Sequence, residues 1–221
     1  MSTSARDAVL ARIRSALANG PAPLPPEPDW TAPVHPPLSD ADVVVAFAES
    51  FRRVGGEFYY CETLPELAAQ IAGFRQRQQV GPPFVWEPEM QALLYTAGVA
   101  FRADETDFIA QADLGLTSCE ALVARTGSVL VSAGTASGRR LSIYPDQHLV
   151  LARPSQVVAE IGDALHLVQA RYGSQLPSMV SLTSGPSRTA DIEKTLVLGA
   201  HGPRRLALFL LEDDDAALGE E

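Results

Sequence analysis

Residues able to do chemistry concentrate in the run 184–203, SGPSRTADIEKTLVLGAHGP. Gly185 permits a tight turn and close backbone approach. Ser187 or Thr189 can cap a helix that starts there. Free N–H groups at such a start favour an anion, and Arg188 adds a bidentate contact to phosphate or carboxylate. The same residues also suit an ordinary capped helix whose Arg188 pairs with Asp191 or another acid, and both readings stand. Asp191 and Glu193 lie two apart, on different faces of the expected helix. His201, in the turn before the last strand, either satisfies that turn or acts as a ligand or an acid/base. Neither GxxxxGK[ST] nor GxGxxG occurs, so the turn is not a Walker A or dinucleotide loop.

A second constellation is Arg125-Thr126-Gly127-Ser128 with the loop 134–140, GTASGRR. The turn offers hydroxyls and backbone donors, and the loop brings Arg139 and Arg140 to an otherwise acidic chain. Together they suggest an electropositive pocket lip; the alternative is a hairpin turn and a solvated loop. The candidate ligand-binding set is therefore Thr126, Gly127, Ser128, Arg139, Ser184, Gly185, Ser187, Arg188, Thr189, Asp191 and His201. No catalytic residue is assigned. GxSxG is absent and no Ser-His-Asp arrangement is legible. His148 follows Pro145-Asp146, which allows an Asp–His pair. His35 and His166 read as surface or packing residues, and Cys119 as a buried, inert thiol near a strand end.

The elements that must position these residues follow from periodicity. Residues 4–18 predict a helix, with Ser4 and Asp7 as a capping-box variant and Val9, Leu10, Ile13 and Leu17 on one face. Eight prolines fall between Gly20 and Leu38, an extended linker that cannot join a sheet interior. From Ser39 the chain alternates. Helices are expected at 39–54, 63–78, 88–97, 154–172 and 187–199. Strands are expected at 56–61, 83–87, 99–102, 148–153, 178–185 and 204–211. The stretch 113–134 is expected as a strand, a short turn or helical piece around 119–124, and a hairpin. Such alternation predicts a mainly parallel sheet covered by helices. The expected organisation is an N-terminal helix (1–19), a Pro-rich linker (20–38), a main domain (39–211) and an acidic tail (212–221).

Composition bounds the function classes. The chain has 221 residues, 46% of them apolar, and a formal charge of −10. That suits a soluble α/β domain and argues against a nucleic-acid or anionic-membrane partner, while leaving room for a local basic pocket. The two cysteines, Cys61 and Cys119, form no CxxC pair. No metal ligand set is therefore assigned, and two reduced thiols in a cytoplasmic protein are expected. No apolar run approaches a membrane span, and no secretory signal pattern opens the chain.

The run SGPSRTADIEKTLVLGAHGPRRLALFLL resembles the C-terminal signature of the LutC/YkgG proteins, the LUD (lactate utilisation) domain family. ADLGLTSCEALVARTGSVLV and GRRLSIYPDQHLVLARPSQVV resemble the family's middle segments. The resemblance covers most of 40–211, making 39–211 the LUD domain. It implies a Rossmann-like α/β fold similar to the NagB/RpiA/CoA-transferase group. It also implies a part in oxidising L-lactate to pyruvate beside an iron–sulfur subunit and a cysteine-rich subunit, with the clusters on those partners. Many relatives carry Glu before the Thr-Gly turn, where this chain has Arg125. A nucleophile or base there is unavailable, and the position instead tunes an anion pocket or marks a divergent member. Two other readings remain open: an independent phosphosugar or acyl-CoA enzyme, and a non-catalytic assembly or regulatory subunit.

Overall fold

The segment RLALFLL carries no polar side chain after Arg205, as a strand buried on both faces requires. It forms the strand through which the central sheet is organised. The computed structural model describes residues 4–18, 20, 26–29, 35, 36, 38, 43–106, 108–190 and 196–213. Two units are distinguished, Met1–Pro37 and Leu38–Glu221.

In the first unit, helix α1 (Ala5–Ala18) starts as expected. The Ser4 hydroxyl donates to Asp7 Oδ2 at 2.7 Å and accepts the Asp7 N–H at 3.2 Å. None of its residues is buried, and Val9, Ile13 and Leu17 stay exposed.

In the second unit the elements run as follows: α2 (Val43–Arg53), β1 (Glu57–Cys61), α3 (Leu64–Gln78), α4 (Pro88–Thr96), α5 (Phe108–Gln111), β2 (Leu114–Thr117), β3 (Ala121–Val123), β4 (Ser128–Ser132), β5 (Gln147–Ala152), β6 (Val157–Val158), α6 (Ile161–Tyr172), β7 (Val180–Thr183), β8 (Arg188–Ala190), β9 (Leu196–Leu198) and β10 (Arg205–Leu211). The fold is mixed α/β with a parallel central sheet flanked by helices. That sheet has the order β1-β10-β5-β2, every pair parallel. A second sheet, β6-β3-β4-β7, is mixed, and β8 and β9 form an antiparallel ribbon.

Strand alternation sorts the core into layers. Ala207, Phe209 and Leu211 of β10 join Leu67, Ile71 and Phe74 of α3 and Leu94 of α4 on one face. Leu206, Leu208 and Leu210 join Phe47 and Phe51 of α2, with Leu122, Val129 and Val131 of the second sheet, on the other. The far face of the second sheet, Ala121, Val123 and Leu130, is closed by Ala164 and Val168 of α6. Burying a phenylalanine contributes about 1.5–3 kcal/mol, so Phe47 and Phe51 hold α2 between the two sheets.

Four sequence expectations are corrected. Residues 187–199 are not a helix: β8 and β9 pair there, with Arg188 opposite Leu198 and Thr189 opposite Val197, while 191–195 lie outside the described residues. The helix expected at 154–172 starts only at Ile161. Val157 is drawn instead into parallel pairing with Leu122, after a 3-10 turn at Pro154–Gln156. The strands expected at 83–87 and 99–102 reduce to single bridges, Phe84 to Arg102 and Phe84 to Gly115. The piece 119–124 contains β3 rather than a helical turn, because its apolar residues are shared between two packed faces.

Two turns meet the C-terminal end of α2. Gly127 has φ +61°, and a Cβ there would lie 2.3 Å from the Phe51 nitrogen. Gly185 has φ +77°, and its Cβ would lie 2.2 Å from the Val54 carbonyl oxygen. Gly138 has φ +58° with nothing within 4 Å. Gly138→Ala is therefore expected to cost about 1 kcal/mol of backbone strain alone. Gly185→Ala adds a backbone clash and should cost about 2–4 kcal/mol. Urea unfolding midpoints compare them, and equal losses would refute the close-approach argument.

Candidate functional site

The turn 184–188 leaves β7 and packs on the α2–β1 corner. Arg188 extends over Gly55, where a Cβ would lie 2.2 Å from its Nη2. Beside it a cleft of about 470 Å³ is lined by Gly55, Glu57, Asp146, Gln147, Pro186, Arg188, Leu198, Arg204, Arg205 and Leu206. Glu57, Gln147 and Arg205 open β1, β5 and β10. The cleft thus lies at the amino-terminal edge of the parallel sheet.

Its electrostatics run against the chain's net charge. Three guanidiniums face two carboxylates, a formal excess of one positive charge. Arg204 Nε lies 3.4 Å from Asp146 Oδ1, and Arg205 Nη1 lies 3.3 Å from Glu57 Oε1. Arg188 makes no ion pair with another described residue. Gln147 is 9% exposed, and its Oε1 is buried without a hydrogen-bond partner among the described residues. An orphaned buried acceptor costs about 1–3 kcal/mol, which a ligand donor would relieve once the amide rotates to present its oxygen.

The other candidates divide into three groups. The Ser128 hydroxyl lies 2.7 Å from Thr126 Oγ1 and 2.6 Å from Ser184 Oγ, tying the two turns together beside the cleft without lining it. Ser187 donates its N–H to the Pro203 carbonyl at 2.9 Å, and its Oγ accepts the His201 N–H at 3.3 Å. Those bonds fold the exposed His201 turn against the start of β8, where Thr189 pairs with Val197. Asp191 lies outside the described residues. Arg139 stands apart. It donates to the Ser178 carbonyl at 3.3 Å, beyond Val180, whereas Thr126 and Ser128 lie beside Ser184. All four residues of β7 lie between those ends, about 13 Å of strand. The expected shared lip of turn and loop is therefore split.

Arg125 is engaged elsewhere. Its Nε donates to both Glu160 carboxylate oxygens at 2.7 and 2.8 Å, fastening the β3–β4 turn to the start of α6. The pair raises the Arg125 pKa through the hydrogen bond to Glu160, so the guanidinium stays charged.

The carboxyl-terminal edge holds polar residues that the sequence reading passed over. Glu87, 7% exposed, accepts the Ser118 N–H at 3.1 Å, the Ser118 hydroxyl, and the Ser137 hydroxyl at 2.5 Å. Glu120, 4% exposed, accepts the Ser132 hydroxyl at 2.5 Å, the Tyr172 hydroxyl at 2.7 Å and Arg171 Nη1 at 2.5 Å. The available signal was a lone acid inside an apolar run, CEALV, and an acid closing PFVWE. Cys119 between them is buried, and desolvation holds its thiol protonated, with Glu120 and Glu87 adding to the effect. Likewise, Arg204-Arg205 before an unbroken apolar strand marked the cleft and was not singled out. Among the described residues no three His, Cys, Asp or Glu side chains gather at metal-binding spacing.

The LUD domain model matches residues 44–211. Among curated relatives, "Lactate utilization protein C 1" of Bacillus mycoides is 34% identical over 118 residues, covering 52% of this chain and 50% of its own. "Lactate utilization protein C" of Deinococcus radiodurans is 30% identical over 213 residues, covering 92% and 93%. "Uncharacterized protein YkgG" of Escherichia coli is 30% identical over 156 residues, covering 69% and 66%. The chain thus spans about half the length of the Bacillus mycoides relative it matches. A crystal structure of a DUF162 family protein from Deinococcus radiodurans superposes with a TM-score of 0.57 at 25% identity, covering 79% of this chain and 99% of that one. The fold and these matches define a LUD-domain protein. The chain belongs to that family, in the LutC/YkgG group.

One titrating group lies directly behind the cleft. His148 follows Gln147, is 3% exposed, and its Nε2 lies 2.9 Å from Thr117 Oγ1. The Asp146–His148 pair that the sequence allows does not form, since Asp146 turns to Arg204. Thr117 donates its own proton to the Ser118 carbonyl at 2.8 Å. It must therefore accept from His148, which assigns the ring proton to Nε2. Desolvation lowers the His148 pKa to about 4. The unfolded chain binds this proton near pH 6.5, so the contribution to stability is complete above that pH and is lost as pH falls towards 4. The expected loss is about 3 kcal/mol. Comparing the pH dependence of unfolding for the chain and His148→Gln checks it. A variant with undiminished acid sensitivity between pH 6.5 and 4 would contradict the assignment.

Proposed function

We propose that this chain is the LUD component of a cytoplasmic L-lactate utilisation system and binds a small carboxylate in the amino-edge cleft. The observation that carries the reading is the convergence of Arg188, Arg204 and Arg205 on one cleft of a chain whose formal charge is −10. The formal excess of one positive charge suits a monocarboxylate better than a phosphate dianion. Arg188 grips the carboxylate through two parallel N–H bonds. Gln147 Oε1 accepts the 2-hydroxyl, which separates lactate from pyruvate.

The names of the curated relatives support the lactate assignment. Following the family resemblance, the partners are an iron–sulfur subunit and a cysteine-rich subunit, whose clusters take the electrons released when lactate becomes pyruvate. This chain's own contribution is to hold and orient the acid.

Calorimetric titration of the purified chain with L-lactate, pyruvate and inorganic phosphate tests the reading. Lactate is expected to bind more tightly than the other two, and Arg188→Ala to weaken it at least tenfold, about 1.4 kcal/mol. Absence of saturable binding by all three, or unchanged lactate affinity in Arg188→Ala, would overturn it.

A further inference from the structure

The second sheet ends on an open strand. Its order is β6-β3-β4-β7, so β7 pairs only with β4 among the described residues. The Ala133 N–H donates to the Met179 carbonyl at 2.9 Å, and the register continues with Val131 opposite Ser181 and Val129 opposite Thr183. Antiparallel partners exchange hydrogen bonds at every second residue. Met179, Ser181 and Thr183 therefore direct their backbone groups to β4. Val180 and Leu182 direct theirs outward, where no described residue meets them.

The same two residues show their side chains, each 37% exposed. Leu182 stands opposite Leu130, which α6 helps to bury, and at β7 that apolar layer runs out into solvent. An uncovered strand edge is a template for another strand, and charged residues or proline commonly guard it. Val180–Thr183, VSLT, has neither, and no charged residue occurs from 173 to 187. Two copies of a chain with charge −10 repel each other, and this stretch adds no charge of its own to that repulsion. The opposite edge, β6, is only two residues long, Val157–Val158.

We propose that β7 pairs with β7 of a second copy of this chain. The strands run antiparallel about a two-fold axis at Ser181. Val180 of each copy then lies opposite Leu182 of the other, and every outward N–H meets an outward C=O. The two open residues flank Ser181 symmetrically, so a strand of the same sequence satisfies both at once. The valines and leucines of both copies gather on one face. The joined sheet reads β6-β3-β4-β7-β7-β4-β3-β6, and the contact closes at two copies because each β7 edge is used once.

Sedimentation velocity of the full chain across a concentration series reads the association, and a monomer–dimer equilibrium is expected. Val180→Pro removes one outward N–H while Met179 and Ser181 keep their bonds to β4. Leu182→Lys puts a charge on the edge. Each is expected to raise the dimer dissociation constant at least tenfold, with the unfolding midpoint confirming a folded chain. Cross-linking reads the register. Facing residues of a non-hydrogen-bonded antiparallel pair have Cα atoms about 4.5 Å apart, within the roughly 4.4–6.8 Å of disulfides. Ser181→Cys chains are therefore expected to link on oxidation. Met179→Cys and Thr183→Cys chains should link when mixed, and neither alone. Cys61 and Cys119 are buried and add no link. A chain that stays monomeric overturns the proposal and leaves the edge to a strand of a different protein. Dimer affinity unchanged in both Val180→Pro and Leu182→Lys places the contact elsewhere and overturns it too. So does a dimeric Ser181→Cys chain that fails to link.

Discussion

The close packing of two glycine turns on the end of α2 is the constraint from which the rest of the site follows. Gly127 abuts the Phe51 nitrogen and Gly185 abuts the Val54 carbonyl. No residue with a Cβ fits either place without moving backbone, and both positive φ values disfavour one. These contacts seat the β3–β4 turn and the exit of β7 against one helix end. The same helix presents Phe47 and Phe51 to β10 and to the second sheet. One corner therefore fixes the distance between two sheets. It also delivers Arg188 to the edge of the first, over Gly55, beside Arg204 and Arg205.

The central sheet then has two chemically distinct edges. At the amino edge the charged side chains are exposed or half-buried, and cations exceed anions by one. At the carboxyl edge two carboxylates are buried, each receiving three hydrogen bonds. A buried carboxylate with that many donors is held in place. Glu87 and Glu120 act first as anchors, positioning Ser118, Ser137 and Arg171. Arg125 belongs to neither edge. Its bidentate pair with Glu160 fastens β3 to the helix start at α6, so the Thr-Gly-Ser turn is tethered from outside.

What the sequence made legible follows burial. β5 is buried along its length and β10 from Leu206 onward, and their apolar runs allowed no other assignment. α3 announced itself through Thr63, whose hydroxyl accepts the Glu66 N–H. The ribbon of β8 and β9 was misread because it is largely open: Val197 and Leu198 are 45% and 48% exposed, so no buried face imposed a period of two. With the helix at 187–199 gone, the helix-terminus argument for an anion falls, and the case rests on guanidiniums and an orphaned amide. Gln147 could not be found from sequence, since its significance is the missing partner of Oε1, a property of packing. The pairing of Arg139 with the Thr-Gly-Ser turn failed for a related reason. Adjacent segments of a hairpin sheet can emerge at opposite strand ends, and only the register of β4 with β7 decides which.

The central claim is that the amino-edge cleft holds the carboxylate. Amide chemical-shift mapping of the isotopically labelled chain with L-lactate addresses it most directly, because it reports where the acid sits as well as whether it binds. The account predicts saturable shifts at Gly55, Gln147, Arg188 and Arg205. Shifts confined to Ser118, Gln156 and Arg171 at the opposite edge, or no shifts at all, would contradict it.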